Sequence, residues 1–332
     1  MFNHLSFGLA LSGGGARGLA HIGVLTVLQR EGLVPDVIVG SSIGAVLGAA
    51  FAIEPDAALL RRQIVEVFGP GGSAHKGFKR LAQNHRHPAV KRGLFQRLSD
   101  FADKEFLMNM ALIRGSLLSE KDLQECVSPF VADFGFSDTR IPFAATAVDL
   151  ITGQRALLKD GSLRRAVMAS SALPGMMPPI AWNGMLLADG ALLEAVPGPA
   201  AREMGARTVV GVDVGFRLEN PSAIIHGVDV VQRATEIMMF HMRSAGRRVC
   251  DVLVEPNVGA FTWTDFDHYE DIIQAGERAT QDRLPDIRRA LSRGRWGAQI
   301  QRLRARFAGR KIILSPSGTP IGENGATVDP GK

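Results

Sequence analysis

Two apolar runs near the start of the chain each end in a glycine cluster and pass straight into a helix-forming stretch, and this repeated unit restricts the fold more than any other feature. The first run, residues 6–11, leads into Ser12-Gly13-Gly14-Gly15-Ala16-Arg17-Gly18. Beyond it Leu19, Ile22, Val24, Leu25, Val27 and Leu28 recur at helical spacing, and Gly32 provides a stop. The second run, residues 36–40, passes through Gly40-Ser41-Ser42-Ile43-Gly44 into a small-residue stretch ending at Ile53. Strands joined through helices lie parallel, and a parallel sheet is covered on both faces. The predicted class is therefore α/β with a mainly parallel central sheet.

The remaining pattern is consistent with that class. Residues 54–70 read as helix, whereas 71–93 are rich in Gly, His and Lys without a clear period, the composition of a basic insertion or mobile lid. Residues 94–135 read as weakly amphipathic helix, 141–148 as strand, 155–158 as a short strand and 161–171 as a helix ended by Pro174-Gly175. Asn183-Gly184 between 180–182 and 185–188 is a hairpin signal, closed by Asp189-Gly190. Helices are then expected at 199–204, 227–249 and 269–292, with strands at 207–214 and 251–255. Residues 315–332 are rich in Gly, Pro and Ser and read as a disordered tail, which leaves 1–314 as one domain.

With 332 residues and 46% hydrophobic composition, the chain belongs with ordinary globular proteins. The two cysteines, Cys126 and Cys250, offer no zinc-binding spacing, so no metal and no cofactor is expected, and a reducing compartment fits them. Met1 to Phe7 lacks the basic start and apolar core of a signal peptide, and the longest uncharged apolar stretch, Ile43–Ile53, is too short to span a bilayer. The expectation is a cytoplasmic protein without its own anchor.

The net charge of +5 conceals a segregation. Residues 75–93 carry six Lys/Arg and no acid, and residues 288–311 carry nine and no acid; without those fifteen charges the rest of the chain stands at −10. Two basic segments on an acidic body suit peripheral contact with an anionic membrane surface such as the inner leaflet, at about 1 kcal/mol per basic residue near the surface. Solvated basic faces without a partner are the alternative. Few aromatics lie among these charges, so nucleic acid is not expected as a partner. Oligomeric state is not legible.

A G-x-S-x-G at a strand-to-helix junction is the geometry of a nucleophile elbow, with Gly40 and Gly44 allowing the sharp turn and Ser42 projecting from its tip. The upstream turn satisfies G-x-G-x-x-G through Gly13, Gly15 and Gly18, but a dinucleotide site wants an acid at the far end of the second strand, and Asp36 lies at its near end. The glycine turn serves better as an anion hole. Free amides at a helix start, those of Gly14 and Gly15 above all, point at one spot, and Arg17 could steady the loop or the anion. For the base two choices stand: a histidine at 226, 241 or 268, or Asp189 acting directly on the serine, with Gly190 letting the chain pass close.

GGGARG at 13–18, GSSIG at 40–44 and DGA at 189–191 together resemble the oxyanion loop, nucleophile elbow and DG[GA] motif of patatin-like phospholipases, in the family's order. The likeness extends through 18–25, 145–153, 169–179 and 205–214, and 251–276 is similar to bacterial members related to the catalytic domain of neuropathy target esterase. The resemblance implies a three-layer α/β/α fold, a Ser42–Asp189 dyad, and hydrolysis of acyl esters in phospholipids, lysophospholipids or neutral lipids without a metal. Two other functions compete with it: a catalytically silent lipid-binding or regulatory protein, and a Ser-His-Asp esterase. Many relatives carry asparagine shortly after DG[GA]; here the chain reads Leu193-Glu194-Ala195, and a second carboxylate is expected to disturb the pKa of Asp189.

Overall fold

A computed structural model describes residues 7–69, 116, 118–215, 218, 227–308, 313–314 and 320–321. The insertion expected at 71–93 lies outside them. Of the tail expected to be disordered, only Pro320–Ile321 is described, as a two-residue strand paired with Ile313–Leu314.

The main sheet is built from β1 (Phe7–Leu11), β2 (Val37–Ser41), β3 (Phe143–Asp149), β4 (Arg155–Leu158), β5 (Ile180–Trp182), β6 (Met185–Asp189), β7 (Thr208–Val212) and β8 (Val252–Val254). Its order is β5-β6-β3-β2-β1-β7-β8, with β4 also on β3. The strands β3, β2, β1, β7 and β8 are mutually parallel, and β4, β5 and β6 add antiparallel pairs. Along the parallel strands alternate residues enter different cores. Leu9, Leu11 and Ile38 join a large cluster with the helices α1 (Ala20–Arg30), α2 (Ile43–Ile53) and α3 (Ala57–Phe68), whereas Ala10, Val37 and Val39 meet Ala200, Ala201 and Met204 on the other side. The period of two thus divides the strands between two helical layers, and the fold is α/β/α with a mainly parallel sheet.

The other helices are α4 (Glu120–Val127), α5 (Leu163–Ser170), α6 (Ala191–Glu194), α7 (Gly198–Glu203), α8 (Gly227–Val249) and α9 (Tyr269–Ala308). Two expectations need correction. In the described part of 94–135 the helix is confined to α4, which a Ser119–Asp122 capping box starts; the chain from Ser128 to Gly135 is irregular. The last helix, expected to stop at 292, continues to Ala308. Gly294 and Gly297 lie in the continuation, but a helical glycine costs only about 1 kcal/mol, and the Gln-, Leu-, Arg- and Ala-rich stretch beyond them favours helix. Much of the second basic segment therefore rides on α9. There Arg288 pairs with Glu31 at 2.6 Å and Arg289 with Asp286 at 3.3 Å.

The register on β3 positions the site. Residues 143–146 pair with β2, 147–149 with β6, and 145–148 with β4. Because β4 overlaps both partners, β2 and β6 occupy the same edge of β3, one after the other. Ser41 stands opposite Thr146, and Asp189 opposite the next residue, Ala147. The parallel strand β2 and the antiparallel strand β6 consequently run towards each other and end tip to tip.

Candidate active site

Ser42 and Asp189 stand at that meeting of strand ends. Ser42 Oγ donates to Asp189 Oδ2 at 2.6 Å, and the second carboxylate oxygen accepts from the Ala191 N–H at 2.8 Å. Asp189 is the last residue of β6 rather than part of the hairpin tip; the tip is Asn183-Gly184, both with positive φ as the turn requires. Asp189 is 3% exposed, and burial pushes its carboxyl up to about 6, against the opposing pull of the Ser42 and Ala191 hydrogen bonds.

The elbow is strained. Ser42 has φ 54° and ψ −124°, a conformation that non-glycine residues seldom adopt. It is the N-cap of α2, and its carbonyl accepts from the Ala45 and Val46 amides, yet its hydroxyl makes no cap. The hydroxyl is committed to Asp189 instead, at the expense of about 1 kcal/mol of capping. Its backbone N–H donates to Ser170 Oγ at 2.9 Å. Ser170, the last residue of α5, is the contact that sequence reasoning missed: it stands in the 169–179 stretch that resembles the family, but nothing local marks that serine among its neighbours. Close packing explains the elbow glycines. A Cβ on Gly40 would lie 2.4 Å from the Gly44 carbonyl oxygen, and one on Gly44 would lie 2.3 Å from that of Leu11.

The glycine loop lies against both groups. A Cβ on Gly13 would meet Ala191 Cβ at 2.9 Å and Ser42 Cβ at 3.2 Å; one on Gly18 would strike Ile43, and one on Gly190 the Thr146 carbonyl. The Gly13 N–H is used on the Ala195 carbonyl and the Ala16 N–H on the Trp263 carbonyl, whereas the amides of Gly14 and Gly15 make no bond to a described residue. Gly15 has φ +59°, which glycine reaches without strain. Arg17 is buried, and its Nε donates to the Gly14 carbonyl at 3.3 Å. Burial, reinforced by neighbouring Arg243, lowers its pKa to about 10. Arg17 is thus tied to the loop through the Gly14 carbonyl.

Glu194 does not act on the base as expected. It turns to the Ala200 N–H at 2.9 Å and to Arg155 Nε at 3.1 Å, the latter an ion pair too poorly aligned to count as a hydrogen bond. The rise in the Asp189 pKa comes from burial, with no contribution from Glu194. Of the histidines offered as bases, His241 packs on Phe240 and His268 faces Asp271 and Phe261; His226 lies outside the described residues.

At the facing ends of β2 and β6 the α/β/α sheet thus presents a serine on a strained strand-to-helix elbow, bonded to a buried aspartate and packed against a glycine loop. The model of the patatin-like phospholipase family matches residues 9–202, and the chain belongs to that family. It is 28% identical over 295 residues to mouse (Mus musculus) patatin-like phospholipase domain-containing protein 7, covering 81% of this chain and 20% of that protein. It is 31% identical over 213 residues to human (Homo sapiens) patatin-like phospholipase domain-containing protein 6, covering 64% and 13%. It is 24% identical over 308 residues to lysophospholipase NTE1 of Candida albicans, covering 84% and 20%. The chain spans about a fifth or less of the length of these relatives. Among solved structures, VipD from Legionella pneumophila aligns with 15% identity and a TM-score of 0.45 over 85% of this chain and 67% of that one.

Proposed function

We propose that the chain is a lipid acyl hydrolase working through a Ser42–Asp189 dyad. The observation that carries this reading is the 2.6 Å hydrogen bond from Ser42 Oγ to a carboxylate that burial has made more basic. As Ser42 Oγ attacks the ester carbonyl, its proton passes to Asp189 and the carbonyl oxygen gains the negative charge. The Gly14 and Gly15 amides receive that oxygen, helped by the positive end of the helix that follows them. When the tetrahedral species collapses, the C–O bond to the leaving alcohol breaks and Asp189 returns the proton to that alcohol. Water, deprotonated by Asp189, then attacks the acyl-Ser42 ester and releases the fatty acid. Phospholipids and lysophospholipids, in keeping with the names of the relatives, and neutral acyl lipids are the proposed substrates.

A fluorophosphonate probe is expected to attach covalently to Ser42, located by mass spectrometry of the labelled peptide. An intact acyl ester substrate present in excess should delay the labelling. An unlabelled Ser42 in folded protein would leave a lipid-binding role without chemistry as the better reading.

Peripheral docking on an anionic leaflet is part of the same proposal. The segments 75–93 and 288–311 supply the charge, and the exposed side chains of Val230, Ile237, Met238 and Met242, at helical spacing on α8, supply apolar contact. Sedimentation with phosphatidylserine-containing vesicles should fall steeply as salt rises from low to physiological strength. Binding to neutral vesicles that is as strong and does not respond to salt counts against the electrostatic part.

A further inference from the structure

Ser12, immediately before the glycine loop, is fully buried and has every polar group bonded. Its N–H donates to the Val212 carbonyl at 3.1 Å and its hydroxyl accepts from the Val214 N–H at 3.0 Å, which extends the β1–β7 pairing to the end of the sheet. Its carbonyl accepts from His21 Nε2 at 2.8 Å. His21 lies in the first turn of α1, beyond the loop, so this bond ties the two ends of Gly13–Ala20 together.

The imidazole is costly where it sits. A carbonyl only accepts, so Nε2 carries the proton and Nδ1 is left with a bare lone pair. That nitrogen is buried without a partner among the described residues, in a fully buried residue whose neighbours Ala20 and Ile22 are buried too. A leucine of similar size would avoid that unsatisfied nitrogen but take the donor from the buried Ser12 carbonyl, so the histidine is explained by this bond and not by packing. Ser12 leads directly into the Gly14 and Gly15 amides, and a hole of this kind stabilises charge only while its donors are held in direction before the reaction begins.

We infer that His21 is a positioning residue: as a neutral imidazole it clamps the Ser12 carbonyl and thereby fixes the direction of the Gly14 and Gly15 amides. The inference rests on the hydrolase reading for its effect on turnover. Burial, which outweighs the Ser12 bond and the field of Asp213, lowers the His21 pKa to about 4, so the clamp keeps its form wherever Asp189 can act as a base.

The test compares His21→Leu, which removes the donor, with His21→Gln, whose side-chain amide carries an N–H at about the reach of Nε2. Turnover of a soluble acyl ester and amide hydrogen exchange of the 12–19 peptide are measured together, alongside thermal melting. For His21→Leu, kcat is expected to fall about tenfold or more with KM within about threefold, loop exchange to accelerate by about tenfold, and the protein to stay folded with a melting temperature lowered by the unpaired Ser12 carbonyl. His21→Gln should recover most of kcat and of the exchange protection. Turnover of His21→Leu within about twofold of the parent, unchanged loop exchange, or a His21→Gln variant as slow as His21→Leu overturns the inference. Should His21→Leu fail to fold, His21→Asn, too short to reach Ser12, takes its place. If the parent shows no Ser42-dependent hydrolysis, the functional reading fails, and the exchange comparison alone decides whether His21 holds the loop.

Discussion

Ser42→Ala is expected to abolish ester hydrolysis, with kcat falling on the order of 10⁴–10⁶. No described group stands ready to replace the nucleophile: the hydroxyl that donates to Asp189 is the one at the elbow, and Ser41, beside it, is a fully buried strand residue. The same change carries a pH-dependent stability cost. Removing the hydroxyl strips the ionised, buried Asp189 of one hydrogen-bond donor and leaves the Ala191 N–H. Above about pH 6, where the carboxylate is charged, the variant should lose about 1–3 kcal/mol. Below that, where the carboxyl holds its own proton, the loss should shrink. Denaturant melts at pH 5 and pH 8, run beside a turnover assay, check both halves. Residual activity above 1% of the parent, in protein free of contaminating esterase, would contradict Ser42 as the nucleophile.

How far the sequence revealed this site follows the range of the interactions involved. The strand–turn–helix units around Gly13–Gly18 and Gly40–Gly44 were legible because periodicity and glycine placement are local signals, and the Asn183-Gly184 turn was legible for the same reason. Asp189 stood beside the histidines as one of two candidate bases, and the family resemblance chose between them. In its own neighbourhood it reads as the close of a hairpin, and its approach to Ser42 depends on β2 and β6 sharing one edge of β3, which no local pattern encodes. Ser170 was not legible at all, since its bond to the Ser42 amide crosses 128 positions. Glu194 was misjudged for a related reason: proximity in sequence to Asp189 suggested a coupled pair, whereas the chain turns at Gly190 and delivers the carboxylate to Arg155. Nothing local marks His21 on the first helix, and only its bond to Ser12 sets it apart.

Asp189→Asn should be nearly inactive and, at alkaline pH, more stable than the parent. An amide cannot take the Ser42 proton, so kcat should fall by about 10³–10⁴, close to the upper range for losing a general base. The stability effect has the opposite sign. Burial lifts the folded-state pKa from the ordinary 3.8 to about 6, so the fold prefers the protonated carboxyl. That contribution to stability is fully present below about pH 3.8 and is lost as pH rises through about 6. At pH 8 the ionised group then costs about 3 kcal/mol relative to the unfolded chain. Asparagine keeps the shape, can still accept from the Ala191 N–H, and carries no charge to desolvate, so it should recover part of that cost at pH 8 and little of it at pH 4. In the parent, turnover requires the ionised base, so kcat should climb tenfold per pH unit on the acid side and level off above an apparent pKa near 6. An Asp189→Asn variant less stable than the parent at pH 8 would show that the charge does not cost the fold, and retained turnover in that variant, or a turnover profile flat from pH 4 to 8, would show that the buried carboxylate is not the base. A dyad assembled from two strand ends would in that case be holding the elbow in shape and nothing more.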